Sequence, residues 1–404
     1  MSNTQKKNVP ELRFPGFEGE WEEKRFADFT KINQGLQIAI NERKTEYSPE
    51  LYFYITNEFL RPNSQTKYFI ENPPQSVIAN KEDILMTRTG NTGKVVTNVF
   101  GAFHNNFFKI KFDKNLYDRL FLVEVLNSSK IQNKILSLAG SSTIPDLNHS
   151  DFYSISSSYP LLREQQKIGQ FFSKLDRQIE LEEQKLELLQ QQKKGYMQKI
   201  FSQELRFKDE NGEDYPDWEE KKIEDIASQV YGGGTPNTKI KEFWNGDIPW
   251  IQSSDVKVND LILQQCNKFI SKNSIELSSA KLIPANSIAI VTRVGVGKLC
   301  LVEFDYATSQ DFLSLSSLKY DKLYSLYSLQ YTMKKISANL QGTSIKGITK
   351  KELLDSIIKI PHNLEEQQKI GELFYKIDKY ISFNKCKIEM LKSLKQGLLQ
   401  KIFI

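Results

Sequence analysis

The sequence predicts an α+β protein: two globular mixed α/β domains joined by two long helices that form an antiparallel coiled coil, with an internal pseudo-two-fold repeat. Three observations predict it. Residues 164–201, EQQKIGQFFSKLDRQIELEEQKLELLQQQKKGYMQKIF, recur at 366–403 as EQQKIGELFYKIDKYISFNKCKIEMLKSLKQGLLQKIF, a constant shift of 202 with about half the positions identical. The approaches to the globular regions recur as well: Leu12-Arg13-Phe14 and the WEEK at Trp21 answer Leu205-Arg206-Phe207 and the WEEK at Trp218. Between approach and helix lie two strongly diverged stretches, 30–160 and 225–360, with short runs of strand character. A chain that repeats its longest helix after half its length is two copies of one plan.

Length and composition agree with this. A chain of 404 residues, 39% hydrophobic and 26% charged, can bury two cores. The net charge of +5 is compatible with a polyanionic partner but far from that of a nucleic-acid-coating tail. Cys266, Cys300 and Cys386 are widely spaced with no CxxC pair, which suggests neither a zinc site nor a disulfide framework. No signal-peptide core and no membrane-length apolar run is present, so a soluble protein of the cytoplasm, without a membrane partner, is expected.

In chain order the expected plan is a polar N-terminus at 1–11, a first domain at 12–160, a helical spacer at 161–204, a second domain at 205–360 and a second spacer at 361–404. GKVVTNVFGAFHNNFFKIKF and SIAIVTRVGVGKLCLVEF read as strands and turns. LYDRLFLVEVLNSSKIQNKI and LYSLYSLQYTMKKISANL have helical apolar spacing. The acidic turn after Pro216 reads as a helix start carrying surface charge. Thr87 to Lys94 resembles Thr292 to Lys298, one residue shorter, and Gly140-Ser141-Ser142 resembles Gly342-Thr343-Ser344, each a turn at a domain edge.

In the first helix Ile168, Phe172, Leu175, Ile179, Glu182, Leu186, Leu189, Lys193, Tyr196 and Ile200 alternate steps of four and three, and the second repeats the pattern from Ile370 to Ile402. That is a heptad seam, so each helix packs on another. Pairing polar seam positions gives an antiparallel register in which facing numbers sum to about 577: Glu182 meets Lys395 and Lys193 meets Asn384. A second apolar stripe, Leu181 and Leu188 repeated at Phe383 and Met390, reads either as packing on the adjoining domain or as two equivalent docking surfaces for partner helices. Gly169, Gly371, Gly195 and Gly397 interrupt the helical pattern, either merely tolerated or needed for a close backbone approach.

No reaction is legible. Asn72-Pro73-Pro74-Gln75 resembles the NPPY-type motif of amino-methyltransferases, but Gln75 replaces the stacking aromatic and no glycine-rich cofactor loop accompanies it; a Pro-fixed turn is the simpler reading. Gly295-Val296-Gly297-Lys298 lacks the spacing of a phosphate-binding P-loop. His104, His149 and His362 are scattered, and neither a metal ligand set nor a catalytic triad is completed. No cofactor, metal or catalytic residue is expected.

Assembled, these features resemble the DNA specificity subunit of type I restriction-modification systems. The paired LRF and WEEK approaches, Gly233-Gly234-Thr235-Pro236 followed by Gly246-Asp247-Ile248-Pro249-Trp250-Ile251, the Gly-Ser/Thr-Ser turn and the EQQKIG helix opening carry the resemblance, which covers nearly the whole chain. It implies two target recognition domains, each reading half of a split site in double-stranded DNA. It also implies helices that dock two methylation subunits, with restriction subunits left open. The first domain has Gly35-Leu36-Gln37 for GGGTP and Tyr54-Ile55-Thr56-Asn57 for Trp250-Ile251-Gln252-Ser253, so the two domains should read different half-sites.

Candidate DNA-binding residues are Thr87, Arg88, Asn91, Thr92, Lys94, Asn105 and Asn106 in the first domain. In the second they are Gly233, Thr235, Ser253, Ser254, Thr292, Arg293, Lys298, Gln310, Thr343, Ser344 and Lys346. Cations would neutralise phosphates, and amides and hydroxyls would read base edges. The bland alternative for each is a loop residue making local hydrogen bonds. Two other functions compete: a self-contained adenine methyltransferase with a degenerate NPPQ site, and a coiled-coil scaffold without DNA sequence preference. At about 1.5 Å per residue the 38-residue helix reaches roughly 57 Å, the length of a ruler over about one and a half turns of duplex.

Overall fold

The computed structural model describes residues 8–61, 64–140, 143–258, 260–340 and 347–403. The chain divides into two compact units: unit 1 comprises 1–184 with 386–404, and unit 2 comprises 185–385.

Unit 1 contains β1 (Glu22–Arg25), α1 (Phe26–Phe29), β2 (Thr30–Gln34), β3 (Leu51–Ile55), β4 (Tyr68–Glu71), β5 (Ile78–Ala79), β6 (Ile84–Thr87), β7 (Val95–Val96), β8 (Gly101–Phe103) and β9 (Phe107–Phe112). After these come α2 (Arg119–Asn127), α3 (Ser129–Leu138), α4 (His149–Ser154), β10 (Ser156–Tyr159) and the first long helix, α5 (Leu162–Phe201), which runs on into unit 2. Unit 2 continues with β11 (Glu219–Lys222), β12 (Ala227–Gly232), β13 (Ile248–Ile251), β14 (Phe269–Ile270), α6 (Lys272–Leu277), β15 (Ser287–Val291), β16 (Leu299–Val302), β17 (Ala307–Thr308) and β18 (Phe312–Leu318). It closes with α7 (Lys322–Leu340), α8 (Lys350–Asp355), β19 (Ile357–Ile360) and the start of the second long helix, α9 (Leu364–Ile402).

The duplication reaches the strand order. Sheets β2-β9-β6-β7 and β12-β18-β15-β16 correspond, as do β4-β3-β8-β5 and β14-β13-β17, each of the latter pair containing one parallel pairing, β3 with β8 and β13 with β17. The WEEK approaches form strands, β1 on β10 and β11 on β19, so the expected helix start after Pro216 is corrected. Each forms a separate two-stranded antiparallel sheet with the strand that leads into a long helix, while Trp21 and Trp218, 3% and 8% exposed, anchor them in the cores. The first helical segment breaks at Ser128, whose side chain caps α3 as α2 ends.

The motifs that recur have structural work. Arg13 donates from Nε and Nη2 to Glu164 at 2.8 and 2.7 Å, and Arg206 does the same to Glu366 at 3.2 and 3.0 Å; the two glutamates are 2% and 0% exposed. The LRF arginine therefore holds the glutamate of EQQKIG by a fork-shaped charged pair. The next residue bridges helix starts: Gln165 accepts from Asp118 N and donates to Pro160 O, and Gln367 accepts from Asp321 N and donates to Pro361 O. A Cβ on Gly169 would lie 2.7 Å from Phe121 N, and one on Gly371 2.8 Å from Tyr324 N, whereas Gly195 and Gly397 have open space. Close approach explains the first pair of glycines only.

Within each unit the two long helices run antiparallel. In unit 1 Lys395 pairs with Asp176 at 2.7 Å, Lys392 with Glu183 at 2.6 Å, and Lys387 with Glu182; in unit 2 Lys193 pairs with Asp378 at 2.6 Å. The numbers 176 and 395 sum to 571, as do 193 and 378; 182 and 387 sum to 569, and 183 and 392 to 575. The expected register, near 577, is thus corrected by close to one heptad. Polar seam residues need not oppose one another, because Glu182, Lys193 and Lys395 each swing to a charged neighbour, Lys387, Asp378 and Asp176. The helix ends also seat in the cores: Phe403 packs on Phe121 and Phe172 with ring centroids 5.4 and 6.2 Å away, and Phe201 on Tyr324 and Phe374 at 6.1 and 5.9 Å. The seam itself is as expected except at Tyr196, which is 40% exposed while Met197 is buried.

Candidate nucleic-acid interface

In unit 1 the segments leaving β2, β3, β6 and β8 are tied into one cluster by backbone hydrogen bonds. Leu36 N donates to Phe103 O at 3.1 Å, His104 N to Ile55 O at 2.9 Å, Asn105 N to Leu36 O at 3.0 Å and Arg88 N to Asn106 O at 2.7 Å. Asn57 Nδ2 adds a bond to Thr89 O at 2.8 Å. Unit 2 repeats the ties: Gly234 N to Thr308 O at 2.9 Å, Ser309 N to Ile251 O at 2.9 Å and Thr292 N to Asp311 O at 2.8 Å. Because strand ends position these loops, their tips can change while their anchors stay.

These bonds fix the equivalences between units. Gly35 matches Gly233, since a Cβ on either would strike a carbonyl, Phe103 O at 2.1 Å or Ser309 O at 1.9 Å. Asn105 matches Gln310. Thr87 N to Lys94 O and Val291 N to Lys298 O close loops of equal length, so Arg88 corresponds to Thr292 rather than to Arg293, and the expected one-residue difference is corrected. Gly93 and Gly297, with φ of 87° and 95°, make the left-handed bend in each.

The expected DNA-binding residues fall into three groups. Thr87, Thr92 and Thr292 are buried and shape the turns: Lys94 N donates to Thr87 Oγ1 at 2.9 Å, Thr92 Oγ1 donates to Pro145 O at 2.7 Å, and Thr292 Oγ1 donates to Asp311 O at 3.0 Å. Arg88 lies over the Phe108 ring and is paired with Asp146 at 2.6 Å, so its charge is largely answered within the protein. Asn91, Lys94, Thr235, Ser254, Arg293 and Gln310 are exposed, and Asn105, Asn106, Gly233, Ser253 and Lys298 are half-buried at the rim. Lys298 Nζ reaches Ser253 O at 3.4 Å, and Asn105 Nδ2 donates to Gln37 Oε1 at 3.0 Å. Thr343, Ser344 and Lys346, like Ser141 and Ser142, lie outside the described residues.

Sequence reasoning missed a feature present in both clusters. The Arg43 guanidinium sits 5.3 Å from the centroids of both Tyr54 and Tyr68, and Lys268 sits 5.7 Å from those of Trp244 and Trp250. Tyr54 and Trp250 occupy equivalent strand positions, and each donates to the glycine segment, Tyr54 OH to Leu36 O and Trp250 Nε1 to Gly234 O. An aromatic at that position was the available signal; the cation reaches it from elsewhere in the chain. Burial first, then Arg43, lowers the pKa of His104 to about 4, so it is neutral at pH 7 and its Nδ1 accepts from Asn106 N.

Asn72-Pro73-Pro74-Gln75 forms a turn with Asn72 at φ 44° and Val77 N bonded to Pro74 O at 3.0 Å. Among the described residues no group of three or more His, Cys, Asp or Glu could hold a metal ion, and no helix is long and apolar enough to cross a membrane.

On the long helices Leu181, Leu188, Phe383 and Met390 are 48%, 59%, 69% and 67% exposed, so packing on the adjoining domain is not their role. In the observed register Leu181 lies level with Met390 in unit 1 and Leu188 level with Phe383 in unit 2, both pairs summing to 571.

Two modules of one plan, each presenting strand ends as a polar loop cluster, define a tandem recognition protein. Known proteins make the class specific. The family model described as the type I restriction modification DNA specificity domain matches residues 18–191 and again 215–393. The MjaVIII specificity subunit of Methanocaldococcus jannaschii is 26% identical over 97% of this chain and 93% of its own length. The MjaIX specificity subunit of the same organism is 32% identical, but over only 50% of this chain and 48% of its own. A type I S subunit from M. genitalium shares the fold, with a TM-score of 0.65 at 16% identity over 98% of this chain and 99% of that one. A chain from a structure of type I R-M complex assembly has a TM-score of 0.53 at 17% identity, covering 97% and 98%. The chain belongs to the type I restriction-modification DNA specificity family, generally non-catalytic, and serves as the DNA specificity component of such a system.

Proposed function

We propose that domains 12–160 and 205–360 each read one half of a bipartite duplex site, and that the helical segments 161–204 and 361–404 set the spacer and seat two methylation subunits. The complex acts in the cytoplasm, and its partners carry methyl transfer and, where present, cleavage. The observation that carries this reading is a shared hydrogen-bonded frame bearing different tips. Asn105 and Asn106 in unit 1 stand where unit 2 has Gln310 and Asp311, and Asn91 stands where unit 2 has Gly295. An invariant frame with changed amides and carboxylates is what two readers of different base edges require. Arg43 and Lys268, held between aromatic rings beside the loops, are suited to backbone phosphates, as are the exposed Lys94 and Arg293.

The exposed pairs Leu181 with Met390 and Leu188 with Phe383 offer two similar apolar surfaces, one per methylation subunit. Replacing Leu181 and Met390 together by Asp should remove one such subunit from the complex, measured as a mass change; an undiminished complex would refute the docking assignment.

Methylation mapping in cells carrying the chain with either domain exchanged tests the whole reading. One half of the methylated sequence should change and the other should persist; changes in both halves would end the modular reading. Adding or removing one helical turn near Gln190 should alter the spacer alone. Incubating the purified chain alone with DNA and labelled S-adenosylmethionine should give no methyl transfer.

A further inference from the structure

The units differ sharply where α5 and α9 meet the neighbouring helix. In unit 1 Lys395 lies between two carboxylates, Asp176 at 2.7 Å and Glu124 at 3.1 Å. In unit 2 Lys193 pairs with Asp378, but the place of Glu124 is taken by Tyr327, whose hydroxyl donates to Asp378 Oδ2 at 2.9 Å. Beside this pair opens a cavity of about 280 Å³ whose lining includes Lys193, Lys194, Gln330, Lys334, Asp378 and Lys385. Four lysines and a single carboxylate line it, and among the described residues Lys194, Lys334 and Lys385 have no ion-pair partner. Burial first, then Lys193 and Lys194, pushes the Lys334 ammonium below its usual value, although its side chain as a whole stays exposed. An anion would relieve that repulsion. Gln330 is only 4% exposed and its Oε1 has no partner; turning the carboxamide over presents N–H groups instead.

The position of the cavity indicates which anion. Gln330, Lys334 and Ser337 are spaced four and three apart on α7 and share a face. Ser337 Oγ donates to Val296 O at 3.3 Å, in the loop from Val291 to Lys298 that belongs to the candidate interface. The cavity therefore lies roughly 5–10 Å along the helix from that loop, about one to three base-pair rises of duplex.

We propose that this cavity is a sequence-independent site in unit 2 that grips one backbone phosphate of the duplex flanking the half-site this unit reads. The inference rests on the DNA-reading function proposed above. It assigns Lys194, Lys334 and Lys385 as positioning residues, and it makes grip asymmetric, because Glu124 and Asp176 leave Lys395 no spare charge in unit 1.

The test uses the full chain assembled with its methylation subunits. Affinity for a duplex bearing the cognate half-sites is measured against salt for wild type and for the Lys194→Gln/Lys334→Gln/Lys385→Gln variant, on normal DNA and on DNA with methylphosphonates flanking the half-site. The variant should bind several-fold more weakly near physiological salt, with a log–log salt slope shallower by about 0.9. Its methylated sequences should be unchanged, and the neutral backbone should erase its difference from wild type. An unchanged slope would overturn the proposal. So would loss of a methylation subunit at unchanged slope, which would assign the lysines to an acidic protein surface. Thermal stabilisation of wild type alone by inorganic phosphate, again with unchanged slope, would make this a free-phosphate site and also overturn it. If the triple variant fails to fold, the Lys194→Gln/Lys334→Gln pair serves, with a smaller change expected. A slope change in a wild-type complex that lacked sequence preference would keep the phosphate site and discard the half-site reading.

Discussion

At the approach to each long helix, unit 1 and unit 2 are nearly superposable in chemistry: Arg13 forks onto Glu164 as Arg206 forks onto Glu366, and Gln165 and Gln367 bridge the same two backbone points. About three turns farther along the same helices the likeness fails, with Glu124 facing Lys395 in one unit and Tyr327 facing Asp378 and Lys193 in the other. Even the tryptophans part company. Trp218 Nε1 donates to Glu366 at 3.1 Å, whereas Trp21 Nε1 is buried without a partner. Buried charge that holds a module's ends together tolerates little change, since a lone carboxylate in a core is heavily penalised. At the helix flank the lysine and aspartate of each unit keep partial access to solvent, so the buried group packed against them can be exchanged, Glu124 for Tyr327.

The comparison can be broken most forcefully at the forks. Arg13→Ala strands Glu164 with no hydrogen-bond donor from a tryptophan, and Arg206→Ala leaves Glu366 with Trp218. Both should destabilise their unit by about 3–5 kcal/mol, Arg13→Ala the more, as read by hydrogen exchange resolved to each unit. Equal losses would mean that the Trp218 bond contributes nothing.

Next come the close-approach glycines. Gly169→Ala and Gly371→Ala force a methyl within 2.5 Å of Asp118 Oδ1 and 2.8 Å of Tyr324 N, and each should cost about 1–3 kcal/mol in unfolding experiments.

The third comparison is electrostatic. Burial, opposed by Lys395, raises the Glu124 carboxyl above its ordinary 4.5. In the window from 4.5 to the raised value the folded state holds more proton than the unfolded, so unit 1 loses stability as pH rises through it. Glu124→Gln should abolish that dependence and leave unit 1 more stable than the wild type at pH 7. Tyr327 is raised well above its usual 10 by burial and Asp378, so its effect on unit 2 is a loss of stability that sets in only above about pH 10. A pH-stability curve for Glu124→Gln identical to wild type in the acid range would refute the assignment.

The smallest expected effect has the opposite sign. At Gly195 and Gly397, where a Cβ meets nothing within 4 Å, alanine should stabilise by about 0.5–1 kcal/mol.

The exact repeat of EQQKIG and the heptad seam by themselves determined that the chain holds two modules and two paired helices, because periodicity and duplication are properties of the sequence itself. Burial of Ile168, Phe172, Ile370 and Phe374 follows directly from that spacing. The loops were legible as turns through Gly93 and Gly297, and the candidate interface was legible as a set of loops. Which of their side chains face outward was not, because Thr87, Thr92 and Thr292 look no different in sequence from Thr235, which is exposed. Tertiary structure decided the helix register, since Phe201 and Phe403 seat in cores whose positions no heptad count contains. It also decided the pairing of Arg43 with Tyr54 and Tyr68, and the gathering of lysines from α5, α7 and α9 around Asp378. Spacing along a chain fixes which face of an element a residue takes; only the folded neighbours fix what that face meets.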